Sequence, residues 1–141
     1  RTEREKRDKE TQKTGVPDKL RILVAEDEET SDLYLTEMLA DKCSSLLHAT
    51  SGRQAVDLVR KHPDIDLVLM DVKMPVMDGL EATRQIRAFN RELIVIAQTA
   101  YAMSGDKEKA LEAGCNDYLA KPIQEADLLA TIDKWVGEKK D

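Results

Sequence analysis

Four apolar segments of this chain each end in polar residues that could do chemistry. Glu26 and Asp27 follow the first segment, Asp71 ends the second, Thr99 ends the third and Lys121 follows the fourth. Carboxylates are ligands that hard cations such as Mg²⁺ prefer, and a hydroxyl and an ammonium can donate hydrogen bonds to phosphoryl oxygens. Brought together, these five side chains would suit a divalent cation and a phosphoryl group.

The elements that must position these residues follow a repeating pattern. Short runs of branched apolar residues predict buried parallel strands, and helical patterns lie between them. The chain therefore predicts an α/β fold, a doubly wound five-stranded parallel sheet with right-handed crossovers. Strands are predicted over 20–25, 46–49, 67–71, 94–99 and 117–120, and helices over about 29–41, 52–61, 80–89, 105–113 and 125–136.

The three carboxylates are predicted to converge at one edge of this sheet. In the common strand order 2-1-3-4-5 the first and third strands are neighbours, and ligands bind outside the carboxyl ends where the order reverses. Converging acids repel one another, which requires either a bound cation or one acid with a raised pKa. Mg²⁺ fits best, because it takes a few carboxylates together with water and phosphate oxygens. The alternative is that these acids are ordinary solvated residues in turns. That would readily explain one acid at a strand end, but not three that converge.

Asp71 is the candidate for covalent chemistry, because a carboxylate can attack phosphorus and form an acyl phosphate. Phosphoryl transfer depends mainly on positioning and charge stabilisation, and Lys121 and Thr99 offer a cation and a hydroxyl donor. Taken singly, Lys121 could be a surface lysine and Thr99 an ordinary strand residue. Their places at matching strand ends favour a shared function.

Length and composition describe a single globular domain of 141 residues, with 41% hydrophobic and 35% charged residues. The net charge of −6 argues against a nucleic-acid-binding surface. No secretory signal or membrane-spanning run occurs, so we expect a cytoplasmic domain that makes no membrane contact. Cys43 and Cys115 lie outside any metal-type spacing and predict two reduced thiols.

The chain divides into two parts by composition. Residues 1–18 mix both charge signs densely and contain few apolar residues, whereas the regular pattern runs over 19–141. We expect a charged flexible linker followed by one domain, and this linker would also serve as a tether to an upstream domain.

The motifs at the strand ends together resemble the receiver domains of two-component response regulators. Several motifs occur in the right order and at the right separations over about 19–136, which makes the resemblance specific. The matching segments are Glu26-Asp27, Met70-Asp71-Val72-Lys73-Met74-Pro75-Val76-Met77-Asp78-Gly79, Thr99-Ala100 and Tyr118-Leu119-Ala120-Lys121-Pro122.

The resemblance implies a flavodoxin-like (βα)5 fold in which Asp71 accepts a phosphoryl group from a phosphohistidine. The donor would be a histidine kinase or a histidine phosphotransfer domain. Mg²⁺ would be held by Glu26, Asp27, Asp71 and the backbone carbonyl of Lys73. Two of these positions differ from what is common in the family. Glu26 stands where many members have Asp. Lys73, two residues after Asp71, carries a side chain that could pair with an acid when the metal is absent.

The resemblance also implies a conformational switch. Thr99 and Tyr118 would form the switch pair, Lys121 would contact the phosphoryl group, and the Lys121–Pro122 bond is expected to be cis. The surface that responds would comprise the fourth helix, the fifth strand and the fifth helix, including residues 101–111. Tyr101 stands where side chains in this family shape the access of hydrolytic water.

The first predicted helix carries more apolar residues than one stripe can hold. If Tyr34, Leu35 and Met38 face the core, Leu33 points elsewhere, beside the rim of the pocket. We expect Leu33 to help dock the phosphohistidine-bearing helices of a partner. Thr30 or Ser31 would cap the start of this helix.

Two alternatives concern the whole protein. A charged segment comes before the domain, and no DNA-binding domain follows residue 136. Both observations favour the C-terminal receiver of a hybrid histidine kinase, and that kinase could be membrane-anchored. A stand-alone response regulator is the second choice, and a monomer or weak dimer is expected in either case. The domain would assist its own phosphorylation and dephosphorylation without a kinase catalytic domain in this chain.

Two other classes of protein share parts of this chemistry. A phosphatase of the haloacid dehalogenase type also uses an aspartyl phosphate, but it carries Asp-x-Asp on its first long strand, and here Asp71 is followed by Val72-Lys73. A degenerate receiver acting only in protein interactions would lack a site residue, and none is missing.

Overall fold

The computed structural model describes residues 20–100 and 105–140, and for 138–140 the backbone alone. Within these ranges strands and helices alternate along the chain, as predicted. The predicted linker over 1–18 and Tyr101 lie outside the described residues. The strands are β1 Leu20–Ala25, β2 Cys43–Ala49, β3 Leu67–Asp71, β4 Ile94–Thr99 and β5 Asp117–Ala120, and the helices are α1 Glu29–Leu39, α2 Gly52–Lys61, α3 Gly79–Arg87, α4 Lys107–Ala113 and α5 Glu125–Lys140.

The five strands form one parallel sheet in the order β2-β1-β3-β4-β5, which confirms the predicted topology. Successive strands are adjacent except where the chain passes from β2 to β3 across β1. The direction of winding therefore reverses between β1 and β3, and a crevice opens at their carboxyl ends. The polar ends of these two strands flank that crevice, because Ala25 is in register with Met70 and Asp71 with Gln98.

Apolar side chains fill both faces of the sheet. One layer, the α2–α4 side, contains Val56 and Ile86 together with alternate strand residues. The other layer, the α1/α5 side, contains Leu39 and Ile132 with the remaining strand residues. Truncating one of these fully buried side chains to Ala is expected to cost about 2–5 kcal/mol, so the two layers hold the strand ends in fixed positions.

Local signals explain where several helices begin and end. Ser51 caps α2 by accepting from the backbone N–H of Gln54, and Asp78 caps α3 in the same way through Glu81. Gly114 ends α4 with a φ of 112°, the left-handed conformation that glycine adopts readily. The predicted cap of α1 is wrong, because Glu28 occupies that position without a side-chain cap.

Several boundaries differ from the sequence prediction, and so does the buried face of α1. β2 begins at Cys43 because its first residues pair with β1 through the backbone, which a polar sequence does not reveal. Helix α5 continues to Lys140. On α1 the buried residues are Leu35, Met38 and Leu39, so the expectation that Tyr34 faces the core is wrong.

A helix that crosses a lipid bilayer is long and mostly apolar, unlike the helices of the described residues. None of them combines the length and the apolar character that crossing a membrane requires.

Candidate functional site

The three predicted carboxylates meet in the crevice between β1 and β3. Glu26 is 2% exposed and Asp71 is 4% exposed, whereas Asp27 faces solvent. One carboxylate oxygen from each of the three lies within 4.8 Å of the other two. The structure therefore brings together the acidic cluster that the strand ends predict.

The alternation of side chains along the strands explains why Glu26 and Asp71 share one face. Ile22 and Val24 of β1 pack on the α1/α5 side, as do Leu67 and Leu69 of β3. Two residues further along each strand, Glu26 and Asp71 continue on that side. The backbone N–H of Glu26 donates to the carbonyl of Ala49 at 2.9 Å, which ties the first acid to β2.

Each buried carboxylate also receives a backbone donor from the loop that follows it. The N–H of Glu28 donates to Oε2 of Glu26 at 3.2 Å, and the N–H of Lys73 donates to Oδ1 of Asp71 at 3.3 Å. These hydrogen bonds fix the orientation of both carboxylates and partly offset the free-energy penalty of burying them.

Lys121 joins the two buried acids. Its Nζ lies 3.1 Å from Oε1 of Glu26 and 3.1 Å from Oδ2 of Asp71. Its backbone N–H donates to the carbonyl of Thr99 at 2.8 Å, and the Lys121–Pro122 bond is cis, as expected. Burial lowers the pKa of Lys121, but the charge of Asp71 and the hydrogen bonds to both acids outweigh it and raise that pKa above its ordinary value.

Glu26 has a raised pKa in this cluster. Burial, followed by its hydrogen bond with Asp71 and the charge of Asp71, raises the pKa of Glu26 from 4.5 to about 7. The hydrogen bond from Lys121 lowers the pKa of Glu26 but does not offset the effects of burial and of the neighbouring Asp71. A divalent cation would remove the excess negative charge, and the oxygen ligands present are those that Mg²⁺ prefers.

A cavity of about 430 Å³ opens above the cluster. Its lining combines the acidic cluster with donors and with the loop after β3. The lining residues are Glu26, Asp27, Glu28, Asp71, Val72, Lys73, Gln98, Thr99, Ala100, Asp106 and Lys121. All the predicted metal ligands, together with Thr99 and Lys121, therefore border one space, and the side chain of Lys73 is exposed at its rim.

The predicted switch pair lies on the opposite face of the sheet from the acids. Thr99 follows Ala97 on the α2–α4 side, where Tyr118 also packs. The buried hydroxyl of Thr99 donates to Oδ2 of Asp106 at 3.3 Å, immediately before α4. Tyr118 is half-buried, and Nζ of Lys107 on α4 lies 5.3 Å from the centroid of its ring. Both residues thus contact the start of α4.

The loop after β3 is shaped by a tight turn and a close helix approach. The N–H of Met77 donates to the carbonyl of Pro75 at 2.7 Å, and Val76 between them has a φ of 69°. This three-residue turn requires a conformation that β-branched residues rarely adopt. Beyond it, Gly79 packs directly against the backbone of Asp71, where a Cβ would lie 2.1 Å from the carbonyl oxygen.

Two residues at this site were missed by the sequence analysis. Asp106 is one acid in a charged segment and gave no recognisable signal. Gln98 did leave one, because it is a polar residue within the apolar run of β4, and it proves to be 1% exposed.

A second groove of about 310 Å³ adjoins the acidic cavity. Gln98 and Lys121 border both spaces, and α1 forms the far wall of the groove. Leu33 and Tyr34 on the same helix are 59% and 48% exposed, and Tyr34 lines the groove. The groove is lined by Ser31, Tyr34, Leu35, Gln98, Lys121, Pro122 and Ile123.

Comparison with known sequences gives a consistent result. The model of the response regulator receiver domain family matches residues 22–133. The sensor protein GacS of Pseudomonas syringae pv. syringae is 39% identical over 122 residues, which are 83% of this chain and 13% of GacS. The polar-differentiation response regulator DivK of Brucella ovis is 34% identical over 119 residues, 83% of this chain and 96% of DivK. This chain thus spans about an eighth of the first relative and corresponds to nearly all of the second.

Solved structures show the same similarity. The receiver domain of a sensor histidine kinase from Pseudomonas aeruginosa PAO1, with a magnesium ion in its active-site cleft, has a TM-score of 0.76 and 39% identity, covering 84% of this chain and 98% of that one. The Saccharomyces cerevisiae receiver domain of Ssk1, crystallised with the histidine phosphotransfer protein Ypd1, has a TM-score of 0.81 and 32% identity, covering 87% and 92%.

Proposed function

The chain belongs to the family of response regulator receiver domains of two-component signalling, and from this membership we propose that Asp71 is its phosphoacceptor. The observation that carries the proposal is the position of Asp71, buried in the acidic cluster with Nζ of Lys121 at 3.1 Å. A carboxylate oxygen of Asp71 would form a bond to phosphorus while the phosphorus–nitrogen bond of a phosphohistidine breaks, and the imidazole leaves with that electron pair. Lys121 would stabilise the negative charge on the transferred oxygens.

We propose that Glu26, Asp27, Asp71 and the backbone carbonyl of Lys73 hold Mg²⁺. The support is the close approach of the three carboxylates and the pKa of Glu26, which is raised first by burial and then by the hydrogen bond and charge of Asp71. When bound, Mg²⁺ would neutralise the carboxylates and the incoming phosphoryl oxygens. Glu26 is one methylene longer than Asp and still reaches the cluster, because it leaves β1 on the same face as Asp71.

We propose that Thr99 reports phosphorylation by changing its hydrogen-bond acceptor. Its hydroxyl now donates to Asp106 at the start of α4. A phosphoryl oxygen on Asp71 would be a stronger acceptor and would draw the hydroxyl away from Asp106. Tyr118 and the surface formed by α4, β5 and α5 would then rearrange, since both Asp106 and Lys107 contact the switch pair.

A histidine kinase or a histidine phosphotransfer domain is the proposed partner. Its docking surface would be Leu33, Tyr34 and the groove beside α1, because both side chains are exposed and Tyr34 lines the groove that adjoins the acidic cavity. Replacing Leu33 with Lys should slow phosphoryl transfer from the cognate donor, whereas Leu111→Lys, which changes an exposed leucine of α4, should not. Equal transfer rates for both variants would contradict this docking surface.

For the parent protein we propose a hybrid histidine kinase, supported by the similarity to GacS and to a sensor kinase receiver. The similarity to DivK keeps a separate response regulator as the second candidate. In either case we propose a cytoplasmic domain, a monomer or weak dimer, that binds neither nucleic acid nor membrane. The phosphatase alternative has no support from the family to which the chain belongs.

Intact mass measurement tests the central proposal. With a small phosphodonor and Mg²⁺, the protein should gain one phosphoryl group, and Asp71→Asn should abolish the gain. The matched control Asp57→Asn changes an exposed acid of α2 and should leave the gain intact. If the wild type is not labelled, or the Asp71→Asn variant still is, the assignment of Asp71 is wrong.

A further inference from the structure

Gln98 is a buried polar side chain with an unsatisfied donor. It is 1% exposed, and its Nε2 has no hydrogen-bond partner among residues 20–100 and 105–140. Buried side-chain donors are almost always paired, because leaving one unpaired destabilises the folded protein. An unpaired donor at this position therefore requires an explanation.

The position of Gln98 places this donor beside the phosphoacceptor. Gln98 is in register with Asp71 on the neighbouring strand, and it follows Ile94 and Ile96 on the α1/α5 side, the side that Asp71 also faces. Side chains paired in this way across parallel strands are close neighbours on one face of the sheet. Gln98 also borders the acidic cavity directly.

The acceptors already present near Gln98 have other donors. Both oxygens of Asp71 are taken, one by Nζ of Lys121 and the other by the N–H of Lys73. Both oxygens of Glu26 are likewise taken, by Lys121 and by the N–H of Glu28. None of these carboxylate oxygens accepts from Nε2 of Gln98, whereas a phosphoryl group on Asp71 would bring three charged oxygens that could.

We propose that the side-chain amide of Gln98 binds the phosphoryl group, with Nε2 donating a hydrogen bond to one of its oxygens. The inference rests on the proposed role of Asp71 as the phosphoacceptor. Before phosphorylation no protein group among the described residues accepts from Nε2, whereas the phosphoryl group supplies an acceptor, so Gln98 shifts the equilibrium toward the phosphorylated state. Gln98 is thus an additional residue of the phosphoryl site, beside Lys121 and Thr99.

Gln98→Met tests this, because methionine is unbranched and of similar length but cannot donate. Binding of beryllofluoride, a phosphoryl mimic, is measured by calorimetry in saturating Mg²⁺, and thermal unfolding is measured without either ion. We expect the affinity for beryllofluoride to fall about ten- to a hundredfold, the effect of losing one hydrogen bond to a charged acceptor. The unfolding temperature should rise, because a buried unpaired donor has been removed. Gln98→Leu should give the same two changes.

Matched measurements separate the possible causes. Gln85→Met changes a glutamine of α3 that bonds to Glu81 away from the cavity, and it should leave beryllofluoride affinity unchanged. Unchanged affinity in Gln98→Met overturns the inference, as does a fall in affinity accompanied by a lower unfolding temperature, which indicates a packing role. Normal beryllofluoride affinity with slower transfer from a partner would assign Gln98 to the groove instead and also overturn it. A wild-type protein that binds no beryllofluoride refutes the role of Asp71 itself.

Discussion

Replacing Gly79 with Ala is expected to damage both the stability of the domain and the site. Gly79 is the first residue of α3, and a Cβ there would lie 2.1 Å from the carbonyl oxygen of Asp71 and 2.8 Å from Cγ of Met70. Non-bonded heavy atoms do not approach this closely, so the start of α3 or the backbone of Asp71 must move by about 1 Å. The atom in the way belongs to the backbone and cannot rotate aside.

The size of the effect follows from that clash. Overpacking a well-packed site costs about 1–3 kcal/mol, and a rigid backbone obstacle places Gly79→Ala near the upper end, at about 3 kcal/mol. Alanine is more favourable than glycine in a helix, which offsets at most about 1 kcal/mol of this loss of stability. We therefore expect the free energy of unfolding to fall by about 2 kcal/mol. Displacing Asp71 by about 1 Å should also slow its phosphorylation by about a hundredfold.

Gly137→Ala is the matched control for this prediction. Gly137 lies within α5, and among the described residues no heavy atom outside its chain neighbours and its own helix backbone lies within 4 Å of a Cβ built there. The same substitution should therefore raise the free energy of unfolding, by about 0.5–1 kcal/mol. Urea denaturation measures both variants, and intact mass after timed exposure to a phosphodonor measures the rate. If Gly79→Ala is as stable as the wild type and is phosphorylated at the same rate, the close packing of α3 on Asp71 is not a constraint.

Three further predictions concern the acid cluster, the loop and the sheet. Because the pKa of Glu26 is about 7 in the metal-free protein, Mg²⁺ must displace a proton at lower pH, and calorimetry should show weaker binding as the pH falls through about 7. The folded state holds this proton more tightly than the unfolded state, so metal-free stability should fall as the pH rises from about 4.5 to about 7, and a rise would contradict the shift. Val76→Gly should raise the free energy of unfolding, measured in urea, by about 1 kcal/mol. Val76 is exposed, so little packing is lost, and glycine relieves the strain of its positive φ. Asn116→Ala should lower the free energy of unfolding by about 2 kcal/mol, since Oδ1 of Asn116 accepts from the buried N–H of Val95 at 2.8 Å. Asn116→Asp keeps an acceptor and should retain most of the wild-type stability. Equal losses in the two Asn116 variants would argue against the lost acceptor as the cause.

The buried strands were predictable because their local signal and their tertiary environment agree. Apart from Arg21 in β1 and Gln98 in β4, the strands β1, β3 and β4 are runs of buried apolar residues that stop at polar residues, so their bounds could be predicted. β2 is different, because Cys43–Ser45 are held by backbone pairing at the edge of the sheet and their side chains carry no strand signal. The prediction that Tyr34 of α1 faces the core was wrong for a related reason. The apolar residues of α1 exceed one stripe, and only packing decides that Leu39 is buried and Tyr34 exposed.

For the site, residue types and their order along the chain were enough to nominate Glu26, Asp27, Asp71, Thr99 and Lys121. In a parallel sheet the carboxyl ends of strands share one edge, so their convergence follows from topology alone. The equal 3.1 Å contacts of Lys121, the pKa of Glu26 near 7 and the unpaired amide nitrogen of Gln98 depend on distances and burial across four different strands. Such quantities are set by how elements far apart in the chain pack together, and no local pattern contains them.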